Sequence, residues 1–73
     1  MRDTYKYYFK VGNLIVHGGI TNDLARRELE HKNSGRSTSR DSKRHYWSHG
    51  HIVQVGNITT RDAALDWESR QGF

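Results

Sequence analysis

Between Tyr5 and His17 apolar and polar side chains alternate on both sides of Gly12-Asn13, and a helix-like stretch follows soon after. Alternation with a period of two marks half-buried strands. A glycine-asparagine pair between two such runs predicts a two-residue hairpin turn. Strands tied this tightly pair antiparallel, so the segment confines the chain to folds that contain such a hairpin. With Val11 opposite Leu14, Phe9 faces Val16 and Tyr8 faces His17. Tyr5, Tyr7, Phe9, Val11, Leu14 and Val16 then form the core face, and Lys6, Tyr8, Lys10, Ile15 and His17 the other. A slip of one residue would exchange Tyr7 for Tyr8.

Thr21 or Asn22 is expected to cap the following helix, with Asp23 in its first turn at the positive end of the dipole. Leu24, Ala25 and Leu29 form its expected buried stripe, and Arg26 and Glu30 face water. Arg27 and His31 are four residues apart, so they share one face at the border of that stripe. Ser34-Gly35 should end the helix near Asn33. Residues 52–56 read as a third strand, and Thr59 or Thr60 as the cap of a second helix from Arg61 to near Arg70. On that helix Ala64, Leu65 and Trp67 define one arc with Glu68 inside it, where a carboxylate is costly unless paired with a cation. The expected fold is α/β in the α+β sense. Its order is β-β-α-β-α, a small three-stranded antiparallel sheet with helices packed on it, as one domain over residues 1–73.

A chain of 73 residues with 33% hydrophobic side chains can build only a thin core. There is no cysteine, hence no disulfide or thiolate metal site. No apolar run approaches the roughly 20 residues that span a bilayer, and no apolar segment follows Met1-Arg2-Asp3-Thr4. A cytoplasmic protein without membrane contact is expected. Twelve Lys and Arg against eight Asp and Glu give a formal charge of +4. The excess is local. Lys32, Arg36, Arg40, Lys43 and Arg44 are offset by Asp41 alone. Residues 34–50 are rich in serine and turn formers, and read as a basic, mobile loop. Such a segment suits a polyanion through counterion release, with Tyr46 and Trp47 as a stacking pair for bases. The plainer reading is a solvated loop that keeps the chain soluble.

Three segments together resemble the GIY-YIG nuclease domain of phage homing endonucleases and the bacterial excision-repair incision protein. They are Tyr7-Tyr8-Phe9, then His17-Gly18-Gly19-Ile20-Thr21-Asn22-Asp23-Leu24 with Arg27 and His31, and Ala64-Leu65-Asp66-Trp67-Glu68. They cover about half the chain. The resemblance implies a divalent-metal-dependent endonuclease that hydrolyses DNA phosphodiester bonds. Tyr8 would be the general base or water-orienting phenol, which needs a nearby cation because a phenol ordinarily titrates near pH 10. His17 would assist it. Arg27, a planar fork of donors, and His31 would hold the phosphate. Glu68 would bind Mg2+ (or Mn2+), a hard cation that one carboxylate, phosphate oxygens and waters satisfy. Gly19 would let the backbone approach nucleic acid closely, or make the strand-to-helix turn.

The chain also departs from that pattern. His17-Gly18-Gly19 stands where the family has tyrosine-isoleucine-glycine, although histidine still moves protons near neutral pH. The family's further strand, with its asparagine, has no counterpart up to Phe73. The alternative is a catalytically inactive nucleic-acid-binding module that uses the basic loop and aromatics. A third reading is an interaction fragment for an acidic protein, and targeting would call for a protein partner or a dimer. Each site residue also has an ordinary role open to it. Arg27 could pair with Asp23, Tyr8 could pack across strands, His31 could serve the helix C-terminal dipole, and Glu68 could sit at the core rim. His45, His49 and His51, with His17 or His31, form a rival zinc set.

Overall fold

A computed structural model describes residues 1–72, so Phe73 of the expected domain lies outside the described residues. Strands β1 (Thr4–Val11) and β2 (Leu14–Thr21) form the expected hairpin, with Val11 opposite Leu14 and Gly12 at a φ of 62°. One pair further on the register departs from strict alternation. Lys10 pairs with Ile15, but Phe9 pairs with His17, Tyr8 with Gly18 and Tyr7 with Gly19. Val16 is the extra residue of a β-bulge. Directly opposed residues share a face, so His17 joins Tyr7 and Phe9, and Tyr8 goes to the other side.

Helix α1 (Leu24–Lys32) follows, then β3 (Ser37–Arg40), β4 (Lys43–Tyr46), a short 3-10 turn (Trp47–His49), β5 (His51–Thr59) and helix α2 (Arg61–Ser69). Strands β2, β1 and β5, in that order, make the expected three-stranded antiparallel sheet of an α+β fold. Strands β3 and β4 make a second sheet that sequence alternation does not announce.

Residues 34–50, expected as a loop, therefore contain a two-stranded ribbon and a 3-10 turn. Asp41 and Ser42 hold φ at 54° and 64°, the left-handed pair of a tight hairpin turn. The ribbon is fastened at its base. The Trp47 amide donates to the Arg36 carbonyl at 3.1 Å, and the Trp47 indole N–H donates to Thr38 Oγ1 at 3.0 Å. Most of its side chains face water, so it carries no apolar alternation to read.

Asp23, rather than Thr21 or Asn22, caps α1: its carboxylate accepts the Arg26 amide at 3.1 Å. Thr21 Oγ1 instead accepts the Asp23 amide. Thr60 caps α2 through the Ala63 amide. The inward face of α1 is not the apolar stripe expected. Leu24, Arg27, Glu28 and His31, spaced at i, i+3, i+4 and i+7, turn inward, while Ala25 is exposed and Leu29 is 59% exposed. Glu28 ties this face to β5 by accepting the Ile52 amide at 3.3 Å. On α2 the same spacing turns Ala64, Trp67 and Glu68 inward, with Gln71 just beyond its end on the same side, and leaves Leu65 exposed.

The two helices lie on opposite faces of the sheet, because Tyr7 and Phe9 meet α1 while Tyr8 meets α2. Tyr7, Phe9 and Trp47 are the buried core cluster, packed by Val11, Val16, Leu24 and Ile52. Behind the sheet the Tyr8 ring lies 5.6 Å from Trp67, and its hydroxyl donates to Gln71 Oε1 at 2.9 Å. Gly50 makes room for the Phe9 ring: a Cβ there would overlap the ring and lie 2.9 Å from the Lys10 carbonyl oxygen. Gly50→Ala is expected to cost about 2 kcal/mol by overpacking, whereas Leu29→Gln should change stability by less than about 0.5 kcal/mol. Urea unfolding of the two variants checks both.

Candidate functional site

Tyr7 is the centre of the site, and Gly19 is what places it. The phenol ring crosses the β2 backbone at Gly19, where a Cβ would stand 2.7 Å from the Tyr7 hydroxyl. Gly19 thus makes room for a side chain of this chain, which is a different service from close approach to nucleic acid. Reaching past it, Tyr7 Oη is hydrogen-bonded to His31 Nε2 at 2.8 Å.

His17, delivered to the same face by the bulge, stacks into the group. Its ring centroid lies 5.0 Å from His31 and 6.1 Å from Tyr7. Phe9 and Trp47 close the cluster at 5.1 and 5.3 Å from His31. The sequence correctly pairs Arg27 with His31 on one helix face. It misassigns the phenol, because one bulged residue exchanges Tyr8 for Tyr7.

Arg27 stands at the border of the cluster. Its Nε lies 3.3 Å from Glu30 Oε1, yet that nitrogen is buried and makes no hydrogen bond. Pairing with Asp23 does not occur, since the Asp23 carboxylate is engaged as the helix cap.

The electrostatics keep the cluster neutral near pH 7. Burial first, then the positive fields of His17, Arg27 and Arg36, push the His31 imidazole down to about 4, against a smaller opposing effect of Glu30. His17 is lowered by burial and Arg36, partly offset by Glu68. Burial raises the Tyr7 phenol, Arg27 opposes that, and Glu68 and Glu30 add to it. His31 is therefore a neutral imidazole whose Nε2 can accept from or donate to Tyr7 according to its tautomer. A charged histidine serving the end of α1 is not what stands there.

Glu68 is half-buried on the inward face of α2, and its carboxylate field reaches both Tyr7 and His17. Among the described residues no group of three or more His, Asp or Glu side chains is placed to hold a metal, so His45, His49 and His51 do not assemble the rival zinc set.

The basic residues divide differently from the expectation. Lys32, Arg36, Arg40, Lys43, Arg44 and Tyr46 are all exposed, four of them on the β3–β4 ribbon. Trp47 is not available for stacking on a base. It is 3% exposed, lies against Phe9, His17 and His31, and has the Arg36 guanidinium 4.3 Å from its ring centroid. The glycines at 19 and 50, each opposite a large β1 side chain, were the available signal for Tyr7 and Phe9 as the fixed points.

No family model, curated protein or solved structure matches this chain. Among the described residues no helix is long and apolar enough to cross a membrane.

The shifted histidines predict an acid limit to stability. Between the ordinary histidine value of 6.5 and about 4, unfolded His31 takes up a proton that folded His31 refuses. Stability from this residue is complete above pH 6.5 and falls as pH drops towards 4, by up to about 3 kcal/mol. His17 acts in the same direction. The raised phenol of Tyr7 sets the opposite limit, with stability declining above pH 10. Urea unfolding across pH 4–7 should show this slope in the native protein and a shallower one in His31→Leu.

Proposed function

We propose that the Tyr7–His31 pair, with His17, Arg27 and Glu68, is the phosphodiester site of a divalent-metal-dependent endonuclease acting on DNA. The observation that carries this reading is the 2.8 Å bond between Tyr7 Oη and His31 Nε2, set beside an arginine whose buried Nε makes no hydrogen bond. It agrees with the roles implied by the resemblance to GIY-YIG nucleases, with Tyr7 in place of Tyr8.

A phosphodiester oxygen beside Arg27 would accept from its guanidinium, which stabilises the charge that builds on the phosphoryl group. Burial is the main reason that His31 is low; an anion there would offset only the lesser part due to the positive fields, and raise the basicity of the imidazole to that extent. Tyr7 can then take a proton from the attacking water while passing its own to His31 Nε2. The water oxygen forms the new bond to phosphorus, and the bond to the sugar oxygen breaks, that oxygen leaving with the electron pair and taking a proton from solvent. His17 lies 6.1 Å from the Tyr7 ring and lines the same pocket of charge. Glu68 would hold Mg2+ or Mn2+, which supplies Lewis-acid stabilisation of the same phosphoryl oxygens. The exposed ribbon with Arg40, Lys43, Arg44 and Tyr46 would supply salt-dependent affinity for the strand.

That same ribbon favours the second reading, a module that binds nucleic acid without cutting it. Nicking of supercoiled plasmid with magnesium, manganese or chelator separates the two. Tyr7→Phe, Arg27→Ala and Glu68→Ala should each lower metal-dependent nicking by about 100-fold or more, and Tyr8→Phe should keep most of it. DNA shifted on a gel with no nicking above these variants would end the nuclease reading in favour of the binding module.

A further inference from the structure

A cleft of about 290 Å³ opens at the end of the sheet where β1 begins, β2 ends and both helices start. Asp3 and Thr4 line it from the first strand, Thr21 and Asn22 from the second, and Arg27 and Arg61 from the two helices. Its volume is at the lower end of the range for small-ligand pockets, roughly 300–1,000 Å³. It suits a phosphate group with part of a sugar.

One of the two arginines is placed against its own electrostatic interest. Arg61 is the first residue of α2, where the helix dipole is positive and a cation is disfavoured. It faces the same cleft as Arg27, so two like charges share one space. Among the described residues Arg61 forms no ion pair; the pairs present are Arg27–Glu30 and Arg70–Asp66. Asp3, the acid of the cleft, accepts a hydrogen bond from Thr4 Oγ1 at 3.1 Å. Asn22 accepts from Arg26 through Oδ1, which leaves its amide N–H donors for a ligand. Two guanidinium groups stand against the one carboxylate of Asp3, so the cleft keeps a positive excess that its own lining only partly compensates. The compensation that fits is an anion.

We infer that this cleft is a second phosphate subsite, centred on Arg61 and joined to the Tyr7–His31 site through Arg27. It would hold the phosphate of a nucleotide next to the one being cleaved. Placing a strand phosphate here rests on the nucleic-acid reading above; the anion site itself does not.

The test titrates the intact protein with inorganic phosphate and, separately, with a short DNA duplex in chelator, so that binding is read without cleavage. The wild type, Arg61→Gln and Arg70→Gln are compared, the last removing an equal charge at the far end of α2. Phosphate should shift the NMR signals of the Asn22 side-chain amide in the wild type and in Arg70→Gln, and not in Arg61→Gln. DNA affinity should fall about tenfold in Arg61→Gln alone, with the salt dependence of binding reduced by about one counterion. Equal behaviour of Arg61→Gln and wild type in both titrations overturns the subsite. Phosphate binding lost with DNA affinity unchanged overturns the assignment to a strand phosphate and leaves a site for free phosphate. Absent nicking with the Arg61→Gln effects intact sinks the nuclease and leaves this inference standing.

Discussion

The hydrogen bond from Tyr7 to His31 depends on one absent side chain, the Cβ that Gly19 lacks, and much of the molecule is arranged around it. The phenol can cross β2 only at a glycine. The bulge at Val16 sets Gly19 opposite Tyr7 and His17 opposite Phe9. Helix α1 then presents His31 to the phenol from its last turn, with Trp47 closing the group from the base of the ribbon. In a larger domain a hydrophobic core would hold these elements and a polar site would be added to one end. Here the buried side chains that join sheet to helix are largely the ones with chemistry.

That economy explains the polar inward face of α1. A helix packed through Leu24, Arg27, Glu28 and His31 gains little from transfer of apolar surface, so its attachment relies on specific partners: Tyr7 for His31, and the Ile52 amide for Glu28. Each such bond contributes only about 1 kcal/mol net, yet leaving a buried partner unpaired costs more than that. The attachment is therefore selective more than strong, and it makes stability and site geometry respond to the same protonation events. Leu29, which binary patterning assigns to the core, stays on the surface because turning it inward would rotate Arg27 and His31 away from Tyr7.

The strong local signals were legible in the sequence. The alternation around Gly12-Asn13 yields the first hairpin, the cap and stop residues bound both helices to within a residue or two, and the i, i+4 spacing joins Arg27 to His31. What escaped was set by neighbours not visible along the chain. A single bulge exchanges the roles of Tyr7 and Tyr8, because alternation assumes an unbroken ladder. The β3–β4 ribbon is exposed and polar, so it has no hydrophobic period, and its Asp41-Ser42 turn lacks the glycine that usually marks one. Trp47 follows a run of charges and reads as a surface aromatic, but the ribbon folds back and carries it into the core. The cleft at Arg61 draws on residues from opposite ends of the chain, and no motif spans that distance.

Charge arrangement links the two halves of the functional reading. The cluster around Tyr7 is kept neutral by burial and by surrounding guanidinium groups, while positive charge stands at its borders, at Arg27, which pairs with Glu30, and at Arg36 and Arg61. Burial holds the imidazole low first and the positive fields second, so an anion at these borders would offset only the second part. Under the proposed function an anionic ligand would be favoured in part because it adds negative charge where Arg36 and Arg61 have no ion pair among the described residues.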